Sequence, residues 1–226
     1  GRSASDALEL YTTGINYFPI TQYVNFDIGV SNRGVIYGGS QDNGITGTTD
    51  GGLTWNFTMG GDGGGVAVDP ISALYVYCTR GVLSGNWSFK RYRSTDKGFT
   101  WTAVDNGVDP SDQWYTKMRS DRTNPVRLYT NSGPYVYSSS DRGDNWIKLN
   151  NTGFPVEISS LDVSKNTGGG AVVYASLNST TGGQRLRVYD GGSFIERSTG
   201  LPSNIRVRCV ATHINNSNTA YAVMNG

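Results

Sequence analysis

The sequence of 226 residues predicts an all-β fold assembled from a repeated unit of four short antiparallel strands. Three observations carry this. Glycine is abundant at 31 residues, Tyr (14) and Trp (5) are generous, and only 16% of residues are charged. Strand-formers broken up by Gly, Asn, Asp and Ser are the mark of many short strands joined by tight turns. The second is a motif that recurs at a nearly constant interval, and the third is a matching series of strand-like runs between successive copies of it.

The motif is [S/T]-x-D-x-G-x-[T/N]-W. It stands at Thr48-Thr-Asp50-Gly-Gly52-Leu-Thr54-Trp55, at Ser94-Thr-Asp96-Lys-Gly98-Phe-Thr100-Trp101, and at Ser139-Ser-Asp141-Arg-Gly143-Asp-Asn145-Trp146. A degraded fourth copy lies at Val188-Tyr-Asp190-Gly-Gly192-Ser-Phe194. An aspartate in a tight hairpin can accept backbone N–H groups across the turn. The glycine suits a positive-φ position, and the tryptophan supplies a large apolar anchor. These residues therefore read as structural staples: Asp50, Trp55, Asp96, Trp101, Asp141, Trp146 and Asp190.

The second unit offers strand-like runs at 65–68, 74–78, 89–94 and 101–104, and the third at 115–120, 126–131, 135–140 and 146–149. The fourth supplies 158–163, 171–176 and 185–189. Residues 205–226 contain only two such runs, 206–211 and 220–224, and residues 8–20 read as a worn hairpin.

The motif resembles the Asp-box, or BNR repeat, of sialidases, sortilin-type receptors and xyloglucanase-like glycoside hydrolases. That resemblance implies a β-propeller of four-stranded antiparallel blades, with strands A to D running outward and the motif as the C–D hairpin. The units then fall at 21–60, 61–106, 107–153 and 154–204, with residues 8–20 plus 205–226 as a composite blade. The chain is accordingly expected to be a single propeller domain or part of one: four whole blades closed by the composite blade, or a fragment of a larger propeller in a secreted or cell-surface protein.

Composition narrows the function classes. A formal net charge of +1 supplies no field of one sign for nucleic acid or an anionic membrane. No apolar run is long enough for a membrane-spanning helix. Cys78 and Cys209 fall on units expected to be apart, so a disulfide is not expected. One histidine, His213, excludes a multi-histidine metal site and reads as structural. Neither metal nor cofactor is expected.

In a propeller the D–A and B–C connections share one rim, and in the related enzymes ligands bind there. Sorting residues by connection proposes Gln22, Tyr23, Gln41, Asn43, Arg80, Trp87, Asp112 and Trp114 as ligand-binding candidates, with Asn86, Asp105, Asp109, Glu157 and Arg206 on the same rim. Flat aromatic faces with amides and carboxylates suit a sugar. Asp42 and Asp62 are the candidate catalytic carboxylates, Asp42 following a B strand as does an aspartate in xyloglucanase-like enzymes, although Ser40-Gln41-Asp42-Asn43-Gly44 departs from their T-D-x-G-G setting. The blander reading makes Gln41-Asp42-Asn43-Gly44 an Asx-turn hairpin and the 60–65 run a crowded turn near the axis. Arg91, Arg93, Arg185 and Arg187 alternate along C strands, where solvated outer faces are expected. The sialidase signature Phe/Tyr-Arg-Ile-Pro is absent. The reading is therefore a non-catalytic extracellular module binding glycan or protein, or a scaffold, with further blades or domains as possible partners. The alternative is a glycoside hydrolase using Asp42 and a second carboxylate.

Overall fold

A computed structural model describes residues 21–84, 86–165, 170–213 and 216–225. Among them there are strands and turns and no helix. Sheet one comprises β1 (Tyr23–Ile28), β2 (Ile36–Ser40), β3 (Gly44–Thr48) and β4 (Asn56–Met59). Sheet two comprises β5 (Asp62–Val68), β6 (Val76–Ser84), β7 (Asn86–Ser94) and β8 (Thr102–Ala103). Sheet three comprises β9 (Met118–Asp121), β10 (Asn124–Ser132), β11 (Tyr135–Ser139) and β12 (Ile147–Lys148). Sheet four comprises β13 (Ile158–Lys165), β14 (Ala171–Leu177), β15 (Leu186–Tyr189) and β16 (Phe194–Glu196). Each pairs its strands antiparallel in chain order, and β17 (Arg206–His213) with β18 (Asn216–Asn225) forms a two-stranded sheet. The expected hairpin at 8–20 lies outside the described residues.

The first strands of the sheets, β1, β5, β9, β13 and β17, stand side by side in that order. Polar side chains on one inner strand accept backbone N–H groups of the next. Val66 and Val68 donate to Asn25 Oδ1 (2.9 Å) and Asp27 Oδ2 (2.8 Å). Val210 and Thr212 donate to Ser160 Oγ (3.2 Å) and Asp162 Oδ2 (2.7 Å). Alternation of these residues along a strand is what puts them on one face. Arg119 of β9 joins two of these acceptors, through Nε to Asp162 Oδ1 (3.2 Å) and a terminal nitrogen to Asn25 Oδ1 (3.3 Å).

The core lies between sheets. Val35, Tyr37, Ile45 and Met59 of the first pack on Val66, Val68, Val76 and Cys78 of the second. Ala67 and Tyr77 of the second meet Met118, Leu128, Tyr137 and Trp146 of the third. Tyr129 and Val136 of the third meet Ile158, Leu161 and Val173 of the fourth, and Val172, Tyr174 and Leu186 of the fourth meet Val210. The outer face of β17–β18 leaves Tyr221 and Val223 exposed. Both cysteines are free thiols, Cys78 buried and Cys209 exposed.

The 60–65 glycine run lets two backbones touch. A Cβ on Gly39 would stand 2.3 Å from the Gly64 carbonyl oxygen, and one on Gly63 2.2 Å from that of Gly44. Only glycine allows this approach.

The three full motifs build the same turn. The leading hydroxyl (Thr48, Ser94, Ser139) donates to Oδ1 of the aspartate at 2.7 Å. The same hydroxyl accepts the N–H of Gly52 (3.0 Å), Gly98 (2.7 Å) or Gly143 (2.8 Å). Oδ1 also accepts the N–H of Thr54, Thr100 or Asn145 at 2.9–3.0 Å, and Oδ2 accepts that residue's side chain at 2.6–2.8 Å. The side-chain bond from Thr54 holds Asp50 far below the usual carboxylate range, and that from Thr100 holds Asp96 at about 2. In the fourth copy Val188 replaces the leading Ser/Thr and Phe194 the Thr/Asn, and among the described residues no hydrogen bond joins Asp190 to its hairpin. Two of the three motif tryptophans reach a neighbouring sheet. Trp101 meets the Tyr37 ring edge-on at 6.3 Å, and Trp146 donates Nε1–H to the Val104 carbonyl at 2.8 Å. Trp55 is 40% exposed and lies against Tyr23.

Three expectations need correction. Arg91 is 0% exposed, not solvated. It spans sheets two and three, donating to the Phe89 carbonyl (2.7 Å), Asp105 Oδ1 (3.3 Å), Thr130 Oγ1 (3.4 Å) and the Asn131 carbonyl. Arg185 is likewise buried, its guanidinium gathering the carbonyls of Leu201, Pro202 and Ile205. Finally, Arg80 and Trp87 lie within one long hairpin of β6 and β7, not in a loop, because nothing between residues 76 and 84 interrupts pairing.

Candidate functional site

The rim residues converge where sheets one, two and three meet. Gln41 and Asp42 turn β2 into β3, with Asp42 in the left-handed region at φ 61°. The Asp42 N–H donates to Asp62 Oδ1 at 2.9 Å, so β5 of the next sheet braces this turn. No hydrogen bond or ion pair engages the Asp42 carboxylate among the described residues. Asn43 closes the turn on itself, its backbone N–H and Nδ2 both donating to the Gln41 carbonyl (2.7 and 3.3 Å).

An aromatic row continues from these acids. Trp87 stacks on Trp114 at a centroid distance of 4.8 Å and an interplanar angle of 27°. Phe89 lies edge-on to both indoles and to Tyr115, and Tyr115 is edge-on to Trp114 at 5.6 Å. The row exists because Gly81 has no side chain: a Cβ there would stand 2.5 Å from the Trp87 ring. Trp114 remains 48% exposed. Trp87, Trp114, Asp112, Gln113 and Glu157 line an open groove of about 560 Å³.

Tyr115 links the acids to the aromatics, and sequence reasoning missed it. Its hydroxyl donates to the Gln41 side-chain carbonyl. Burial pushes its pKa up, and the nearby carboxylates of Asp62 and Asp42 push in the same direction. Tyr115 holds a left-handed φ of 57°, and Thr116 pairs through its carbonyl with Gly65, so β9 begins at Met118 rather than at 115. The adjacent Gln113 was also missed. It is buried, bonded to the Ile158 carbonyl (2.6 Å) and to Asn131 (2.7 Å), and it anchors the segment carrying Asp112 and Trp114.

Other candidates sit elsewhere. Tyr23 lies flat on Gly38 with its hydroxyl 2.8 Å from Thr46 Oγ1. Gly39, next along β2, faces Gly64 of sheet two, so Tyr23 is on the far face of sheet one. Gln22 is exposed without a hydrogen bond among the described residues. Arg80 runs its stem along Gly61 and holds its guanidinium over the Tyr92 ring at 5.6 Å. Arg206 bonds Asn178 Oδ1 at 3.0 Å. Asp105 is paired with Lys90 (3.1 Å) and Arg91, and Asp109 with Lys148 (2.5 Å). No group of three metal-ligating residues comes together among the described residues.

No family model matches the chain, and no curated protein matches its sequence. Solved structures do match. A GH74 xyloglucanase from Xanthomonas campestris superposes with a TM-score of 0.66 at 19% identity, covering 85% of this chain and 32% of that one. An ancestral GH74 enzyme gives 0.63 at 16% identity, with 82% and 27% covered. YCF48 bound to D1 peptide gives 0.61 at 12% identity, with 91% and 63% covered. These are β-propeller proteins, and the fold described above is of that kind. This chain spans about a third of the Xanthomonas enzyme and less than two thirds of YCF48.

Proposed function

We propose that this chain is a glycan-binding β-propeller module of a secreted or cell-surface protein. The observation that carries the reading is the Trp87–Trp114 stack, with Trp114 half exposed, set beside Gln41, Asp42 and Asp62 on one rim. Stacked indoles offer a flat apolar surface for a pyranose face, and flanking amides and carboxylates suit its hydroxyls. The repeated [S/T]-x-D-x-G-x-[T/N]-W turns, read as Asp-boxes, serve this site as scaffold. Their aspartates spend their oxygens within their own hairpins. Two of the solved structures of like fold are GH74 enzymes, one of them a xyloglucanase, which is consistent with a sugar ligand. Affinity electrophoresis and calorimetry against soluble β-glucans test the reading. Binding should be lost in Trp114→Ala with thermal stability retained, and no binding to any glycan would sink it.

Hydrolysis is the second reading. It is favoured by one observation, the adjacency of Asp42 and Asp62 with the Asp42 carboxylate unengaged. A glycosidase needs two carboxyl groups flanking the scissile bond. Release of reducing ends from xyloglucan by the wild type, abolished in Asp42→Asn, would establish it. Activity that survives Asp42→Asn would remove Asp42 from the chemistry.

A further inference from the structure

Charge at the rim is managed unevenly. Asp105 and Asp109 belong to the segment leading from β8 to β9, and both are neutralised, by Lys90 with Arg91 and by Lys148. Asp42, Asp62, Asp112 and Glu157 stand around the aromatic row, and none of them has a cationic partner among the described residues. Asp112 and Glu157 line the groove beside Trp114. At the other end the Tyr115 hydroxyl bonds Gln41, in the turn whose Asp42 is braced by Asp62. Arg80 makes no ion pair among the described residues, and its head is turned onto Tyr92.

Beneath the same row, two buried polar groups have no hydrogen-bond partner among the described residues. Thr116, next to Tyr115 and 1% exposed, leaves its hydroxyl unbonded, and so does the Trp87 indole N–H. Thr79 Oγ1 donates to the Thr116 carbonyl, and a Cβ on Gly64 would meet both Thr79 and Phe89, so Thr116 belongs to the floor of the cluster. Stacked indoles ringed by uncompensated carboxylates favour a ligand that is flat, hydroxylated and positively charged, because an ammonium gains from both the carboxylates and the ring faces.

Resting on the glycan reading above, we propose that the groove selects a cationic amino sugar, a β-linked glucosamine oligosaccharide, over the neutral glucan of the same shape. The 2-ammonium groups meet Asp112 and Glu157 at one end and Asp42 and Asp62 at the other, while the ring faces lie on Trp114 and Trp87.

Calorimetric titration of the purified full chain with glucosamine hexamer, its N-acetylated counterpart, cellohexaose and hexalysine tests this, at a pH where the sugar amines are protonated. The glucosamine hexamer should bind about tenfold or more tighter than the two neutral sugars at low salt, and most of that advantage should vanish at about 0.5 M NaCl, where exposed charges are screened. The double variant Asp112→Asn with Glu157→Gln should weaken the glucosamine hexamer about fivefold or more and cellohexaose less than about twofold, because Asn and Gln still bond hydroxyls but carry no charge. Both sites are exposed, so the fold tolerates the change. Cellohexaose binding as tightly as the glucosamine hexamer overturns the cationic selectivity and leaves the glycan reading standing. Hexalysine binding as tightly overturns the choice of an amino sugar. Failure of every oligosaccharide to bind overturns both.

Discussion

The Asp62 carboxylate accepts the backbone N–H of Asp42 through Oδ1 at 2.9 Å, so one rim acid fixes the turn that carries the other. Asp62 opens β5 and Asp42 follows β2, and the bond therefore crosses from sheet two to sheet one. Asp42 needs such a brace because it sits at positive φ, where a non-glycine residue is strained.

The first prediction follows from that bond. Asp62→Ala removes the brace but little buried surface, and a hydrogen bond of this kind is worth about 1 kcal/mol. Stability should fall by about that amount, amide exchange at Asp42 should accelerate, and sugar affinity should drop. In Asp62→Asn the side-chain carbonyl still accepts the bond, so exchange at Asp42 should stay slow. Equal exchange in both variants would show that the bond does not hold the turn.

A second prediction separates the full motifs from the degraded one. Asp96 accepts from Ser94 and from both the backbone and side chain of Thr100, whereas Asp190 accepts nothing in its hairpin among the described residues. Asp96→Ala should lower the Tm measurably, and Asp190→Ala should leave it unchanged. The pH dependence carries the same signature. A carboxylate whose folded pKa lies below its unfolded value stabilises fully above the unfolded value. That contribution is lost as pH falls through the folded one. For Asp96, depressed from 3.8 to about 2, the loss spans that interval. Thermal melts of Asp96→Ala should show a shallower acid limb there than the wild type.

Much of this was legible in the sequence, and the reasons differ by residue. Asp50, Asp96 and Asp141 declare themselves because their hydrogen bonds close within five residues, inside the motif that repeats. Trp87, Trp114, Asp42 and Asp62 were placed on one rim by sorting connections, although Trp87 turned out to be on a strand. Tyr115 was missed because its role rests on a positive φ and on a partner 74 residues away. Arg91 was misread as solvated because alternation assigns a face to a residue but not what covers that face. Here sheet three covers it, and Asn131 and Thr130 supply the acceptors.

The third prediction concerns that arginine. Burial pulls the Arg91 pKa down, and Asp105 works against this. Asp105→Ala therefore leaves a fully buried guanidinium without its counter-charge, a change that costs about 3 kcal/mol or more. Replacing Arg91 by Met in the same background removes the orphaned charge, so the double variant should recover part of the loss. Urea unfolding of the two single variants and the double variant measures the coupling. Additive effects would show that the pair is not energetically linked.

The last prediction uses a glycine to test the aromatic row without touching an aromatic residue. Gly81 lies in β6 under the Trp87 indole, with ordinary strand geometry, and a Cβ there would approach the ring to 2.5 Å. Gly81→Ala does not strain the backbone. The contact is with a ring edge that can swing outward, so the fold should survive at a cost of about 1–3 kcal/mol. The swing would break the 4.8 Å stack with Trp114 and expose both indoles. Tryptophan fluorescence should shift to the red, and oligosaccharide affinity should fall toward that of Trp114→Ala. Gly81→Ala binding like the wild type, with an unshifted spectrum, would mean that Trp87 adapts in place and that the stack is not what recognises the sugar.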